Sequence, residues 1–190
     1  MTSFADTLAT SATPAIQWGV VIGASLVAAV TDARQRRISN GLTGPVFLLG
    51  LVHAFLVGGP AGLADGFASA LLLALPYVLL FVFAGGGAGD AKLMGAIGAW
   101  LGLALGAATL VSVCLAGIAL AVVWARREGR LRAVLADLSV TARSVTAPMF
   151  GVGSLKDIPD ALPDVTQGQK MPYGLAICAG VLVSALIHLA

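Results

Sequence analysis

The chain has 190 residues, of which 58% are hydrophobic and 11% charged, and its mean hydropathy is +0.97. So few charges cannot cover a soluble globule, and the composition assigns the chain to a bilayer. The net charge of +2 gives no basic face for nucleic acid. Cys114 and Cys178, the two cysteines, lie in apolar segments, where neither a disulfide framework nor a CxxC metal site is assembled.

Residues 1–13 are rich in Ser and Thr and contain no Lys or Arg. They lack the basic start of a cleaved signal peptide, so the first helix is expected to be retained. Apolar runs bounded by Gly, Pro and charge predict helices near 14–31, 41–58, 63–84, 91–105, 108–125 and 171–189. Most of them have about the length that crosses roughly 30 Å of hydrocarbon. The expected fold class is all-α, a polytopic membrane bundle of about six transmembrane helices in one membrane domain, 1–190. The stretch 93–125 is uncharged throughout, too long for one ordinary span, and is divided near Gly102 to Gly106. Trp18, Trp124 and Tyr173 fall near helix ends, as aromatic belt residues do.

The basic residues set the orientation. With six spans and the N-terminus outside, Arg34, Arg36 and Arg37 fall in the first inner loop and Lys92 borders the second. Arg126, Arg127, Arg130, Arg132, Arg143, Lys156 and Lys170 fall in the third, which accounts for all 11 basic residues. A single helix over 93–125 would turn the last cluster outward. The cytoplasmic basic loop 126–170 is the main piece outside the membrane. Leu131, Val134, Leu135 and Leu138 recur there at helical spacing beside arginines, which predicts an amphipathic helix on the inner leaflet, followed by a loop rich in Gly and Pro.

Asp6 and Asp65 fall on the outer side, where a solvated role is expected. His53 and His188 stand alone in apolar helices as packing residues. Pro76 interrupts the third helix without chemistry of its own. Asp32 and Asp90 differ from the other acids, because each stands at the inner end of a membrane helix, where an ionisable group marks a functional site more often than on a surface. Singly, each has an ordinary explanation: Asp32 pairs with Arg34 or Arg36, and Asp90 stabilises its own helix N-terminus. Together they are 58 residues apart, yet the topology returns both to one face at similar depth. Two carboxylates sharing a site of low dielectric do not both ionise easily, so the pair holds one proton. That is acid–base machinery of the aspartic-protease type, needing neither metal nor covalent intermediate. Gly85, Gly86, Gly87 and Gly89 remove bulk before Asp90, which suits a tight turn and the approach of an extended peptide, or small-residue helix packing.

Gly87-Ala88-Gly89-Asp90 resembles the GxGD motif of intramembrane aspartic peptidases, and Ala91-Lys92 extends it toward the GDxK form of bacterial prepilin peptidases (type IV leader peptidases). Asp32 with Arg36, Arg37, Ile38 and Asn40 is similar to that family's second signature, with Ser39 where Pro is usual. Met171-Pro172-Tyr173-Gly174 resembles the Pro-aromatic-Gly that opens the family's last helix. The short chain most resembles the small form found in tight-adherence (Flp-type) pilus systems. The cysteine-rich cytoplasmic insertion of the larger, bifunctional enzymes has no counterpart, so N-methyltransferase activity is not expected.

The resemblance implies a cofactor-free membrane aspartic endopeptidase of the bacterial inner (cytoplasmic) membrane, with its active site facing the cytoplasm. Its partners would be the lipid bilayer and a prepilin with a basic leader and hydrophobic helix, cut after the leader's terminal glycine. Asp32 and Asp90 would be catalytic. Gly87, Gly89, Lys92, Arg36, Asn40, Pro172 and Gly174 would shape the site, with interfacial snorkelling the other reading of Lys92. The competing classes are a small ion-coupled transporter, which usually holds its carboxylates nearer the midplane, and a non-catalytic subunit of a secretion apparatus, which would tolerate Asn at both positions.

Overall fold

A computed structural model describes residues 4–84, 87–127, 129 and 173–189. The expected amphipathic helix with Leu131, Val134, Leu135 and Leu138 lies outside the described residues, as does Pro172. Among the described residues every regular element is helical, as an all-α membrane bundle requires: α1 (Phe4–Gln35), α2 (Asn40–Ala84), α3 (Ala88–Arg127) and α4 (Tyr173–Leu189). α1 begins at Phe4 rather than near residue 14 and runs through Pro14. Nothing in Phe4–Thr13 breaks a helix, since the stretch holds neither Gly nor Pro.

α2 and α3 are each interrupted at one glycine in the left-handed region, Gly59 (φ 59°) and Gly102 (φ 69°). A side chain there would clash with its own backbone, which is why glycine occupies both breaks. Each helix therefore has two arms. Pro60 opens the second arm of α2 at the position where a missing N–H costs least. The second arm of α3 is capped from another helix: Leu103 N–H donates to Asp65 Oδ2 at 3.2 Å, and Ser69 Oγ donates to the Gly102 carbonyl at 2.9 Å. Asp65 is therefore a structural cap rather than a merely solvated acid. The backbone stays helical through Pro76, with no break there.

Trp18, Leu73, Leu93, Met94, Ile97, Val113, Ile177 and Val181 fill the interior. Trp18 is 2% exposed and stacks on His188 at 6.0 Å, so it packs in the core instead of facing lipid as a belt residue. Polar contacts join the helices where an unmet hydrogen bond would be costly. Gln17 Nε2 donates to the Trp100 carbonyl at 3.0 Å, Trp100 Nε1 donates to the Val46 carbonyl at 2.8 Å, and the Thr109 and Ser184 hydroxyls meet at 2.9 Å.

The outward faces are apolar, with Leu56 76%, Leu186 72% and Ile187 66% exposed. Water does not tolerate so much exposed hydrocarbon, whereas lipid does. Pro14–Gln35, Asn40–Val82 and Ala88–Arg127 are long and apolar enough to cross a membrane, and Tyr173–Leu189 is a shorter apolar helix. The protein is a helical membrane protein.

The chain forms two compact units, Met1–Gly117 with Pro172–Ala190, and Ile118–Met171. The packing above lies in the first. In the second, α3 ends on Arg126 and Arg127, and Gly129, at φ 68°, donates its N–H to the Arg126 carbonyl at 3.2 Å.

Candidate active site

α1 stops at a non-glycine residue in the left-handed region. Arg36 has φ 54°, and its N–H donates to the Asp32 carbonyl at 2.8 Å, the single-bond form of a left-handed helix stop. This stop puts Asp32 in the last turn of α1, where it is buried at 9% exposure. Ser39 then caps α2: the Gly41 N–H donates to Ser39 Oγ at 3.1 Å, and the Leu42 and Thr43 N–H groups donate to its carbonyl. Ser39 suits this position because a short hydroxyl reaches an otherwise unpaired N–H of the first turn.

Asp90 enters from α3. It lies in that helix's first turn, where the exposed backbone N–H ends favour an acid. Its own N–H donates to the Gly87 carbonyl at 3.2 Å. The two glycines before it leave room that a side chain would take. A Cβ on Gly87 would stand 2.7 Å from Asp90 Oδ2, and one on Gly89 would stand 2.9 Å from Ile38 Cβ. Gly89 therefore lets the start of α3 approach the turn that follows Asp32.

Asp32 and Asp90 line one open cleft of about 630 Å³, together with Arg36, Asn40, Gly87, Gly89 and Lys92. The two carboxylates are close enough to act on each other electrostatically. Lys92 Nζ donates to Asn40 Oδ1 at 2.9 Å, tying α3 to α2 at the edge of the cleft. Gly174 closes the site from α4, donating its N–H to Asp32 Oδ2 at 2.9 Å. A Cβ on Gly174 would come within 3.0 Å of Asp32 Cβ.

The residues singled out in the sequence thus come together, except Pro172, which lies outside the described residues. Gln35, Arg37, Ser39, Gly41 and Ala88 also line the cleft. Tyr173 meets Tyr77 edge to face at 5.8 Å, and both phenols are within electrostatic reach of Asp90. Tyr173 is half-buried in this contact. No signal in the apolar run around Tyr77 sets it apart from a packing residue. His53 packs on Trp100 at 4.9 Å, away from the cleft. Among the described residues, no three or more His, Cys, Asp or Glu side chains gather as a metal site.

The helices and the cleft define the class: a helical membrane protein with two carboxylates lining one cleft. The chain belongs to the type IV leader peptidase family, whose model matches residues 19–122. That match covers Asp32, Asp90 and every residue that lines the cleft. A prepilin leader peptidase/N-methyltransferase of Neisseria gonorrhoeae is 31% identical over 119 residues, which cover 59% of this chain and 42% of that protein. The chain therefore matches less than half the length of this relative. No solved structure matches significantly.

Proposed function

We propose that this chain is an aspartic endopeptidase that removes the short basic leader from type IV prepilins, of the Flp type, at the cytoplasmic face of the bacterial inner membrane. The observation that carries the reading is the meeting of Asp32 and Asp90, from two helices, in one cleft. Family membership supports the reaction class, and the relative's name supports the prepilin.

In this reading the two carboxylates hold one proton between them, because like charges in a poorly solvated site resist double ionisation. The ionised member takes a proton from a water molecule, whose oxygen attacks the scissile carbonyl. The protonated member donates a hydrogen bond to that carbonyl oxygen and stabilises the charge that develops on it. Proton transfer to the departing amine then breaks the C–N bond. No metal or covalent intermediate is needed. The Gly174 N–H keeps one Asp32 oxygen oriented throughout. Gly87 and Gly89 leave space for an extended peptide beside Asp90.

The orientation rests on charge bias. Arg34, Arg36, Arg37 and Lys92 cluster at the same end as the cleft, and the positive-inside rule puts that end in the cytoplasm with six crossings. A substrate helix in the same membrane would present its leader junction at the depth of Asp32 and Asp90. N-methylation, the second activity in the relative's name, is outside this proposal.

The test is co-expression of an Flp-type prepilin with the wild-type chain, Asp32→Asn or Asp90→Asn, followed by a gel-shift assay for the leader. Cleavage by wild type and by neither variant, with all three proteins in the membrane, is expected. Normal processing by either variant overturns the reading.

A further inference from the structure

Beside the carboxylate cleft lies a second cavity of a different character. It has a volume of about 440 Å³ and runs between the two arms of α2 and the first arm of α3. Phe47, Phe67, Leu71 and Val78 give it apolar walls, and Ala74 and Gly95 keep its floor low. At its polar end stand Asn40 and Lys92, which also line the carboxylate cleft. The two spaces therefore share a wall, and the Lys92–Asn40 hydrogen bond at 2.9 Å lies on it.

We propose that this apolar groove docks the first turns of the substrate's hydrophobic helix, and that the Asn40–Lys92 pair marks where the substrate passes from the groove into the cleft. The inference rests on the peptidase reading above and adds to it a binding surface and a route. A substrate whose scissile bond joins a polar leader to an apolar helix has two chemistries on either side of one peptide bond. The chain offers matching surfaces on either side of one residue pair. The small floor residues let a helix backbone come close, which is how helices associate in lipid when there is no water to expel. A lipid acyl chain would also fit the apolar walls, but its charged headgroup offers no extended peptide to carry a scissile bond past Asn40 and Lys92 to Asp32 and Asp90. Gly44 is the clearest probe position, since it lines the groove and a Cβ there would meet nothing within 4 Å.

The experiment uses the full chain in phosphatidylcholine–phosphatidylglycerol vesicles, with a photo-crosslinking residue at Ala74 or Gly44 in an Asp90→Asn background. Two synthetic peptides serve as probes: a basic leader joined to an apolar helix of about 20 residues, and the leader alone. Adducts to the first two turns of the helix, with none to the leader alone, are expected. A crosslinker at Leu186, 72% exposed on α4, should yield lipid adducts only. Lipid-only adducts at Ala74 and Gly44, or peptide adducts equal to those at Leu186, overturn the proposal.

Turnover gives a second readout. Gly44→Trp in the otherwise wild-type chain should raise KM for the helix-bearing peptide about tenfold or more with a much smaller change in kcat, the signature of lost docking. Leu186→Trp should match wild type. An unchanged KM in Gly44→Trp counts against the groove. If wild type leaves the peptide uncut, the peptidase reading fails while crosslinking still decides the groove. If wild type cuts and the adducts are lipid only, the groove fails alone.

Discussion

Gly174 and Asp32 are 142 residues apart, and the glycine N–H donates to the Asp32 carboxylate at 2.9 Å. The contact requires the absence of a side chain, because a Cβ on Gly174 would stand 3.0 Å from Asp32 Cβ and 3.1 Å from Oδ2. Gly174→Ala should therefore push α4 off α1 by a few tenths of an ångström, and Gly174→Val by more. Misplacing a reacting group by about 1 Å costs about a hundredfold in rate. Leader cleavage by purified protein should fall in the order wild type, Ala, Val, with membrane insertion unchanged. Full activity in the valine variant would show that the contact does not orient Asp32.

Gly89 and Ile38 form a second close approach, at 2.9 Å for an added Cβ. Gly89→Ala should slow cleavage, and Ile38→Ala in the same chain should recover part of the loss by removing the opposing atoms. The double-mutant cycle is expected to give a coupling of about 0.5–3 kcal/mol, the range for residues in contact. Purely additive losses would place the effect of Gly89 elsewhere.

Arg36 holds a left-handed backbone at φ 54°. Such a conformation costs a side-chain-bearing residue about 1–2 kcal/mol, and glycine is free of that cost. Arg36→Gly should be more stable than Arg36→Ala, by about 2–4 °C in Tm per kcal/mol for a chain of this size. Thermal unfolding in detergent measures the difference. Equal Tm values would mean that α1 ends in another way.

Asp65 caps the second arm of α3 through Leu103 N–H. Asp65→Ala should cost about 1 kcal/mol, read as a lower Tm with leader cleavage retained. Gly102→Ala should cost more, because it adds left-handed strain at φ 69° and sets a Cβ against the Asp65 carboxylate.

These residues differ in how far the sequence announces them. Asp32, Gly89, Asp90, Asn40, Lys92 and Gly174 stand in short strings with recognisable spacing, so the grouping of the candidate site is legible without a fold. Hydropathy and turn residues were enough for an all-α membrane bundle, and Gly102, one of the two glycines near which the uncharged stretch 93–125 is divided, is where α3 breaks. The sequence suggests only a solvated role for Asp65, because its capping role exists only once α2 and α3 pack, and local spacing carries no trace of a cap lent across helices. The place of Trp18 near a helix end suggests a belt residue. Its burial depends on His188 and the neighbouring helices, which a one-dimensional pattern does not contain. Tyr77 is hidden for the same reason, inside an apolar run that only packing brings against Tyr173.

The most direct test of the central claim is the leader-cleavage rate of Asp32→Asn, Asp90→Asn and the double variant, measured on purified protein with one synthetic prepilin. Residues that act as one acid–base unit lose their effect together. Each single variant should fall about a thousandfold or more, and the double variant should fall no further. A single variant that still cleaves, or losses that multiply in the double variant, would contradict a shared catalytic pair.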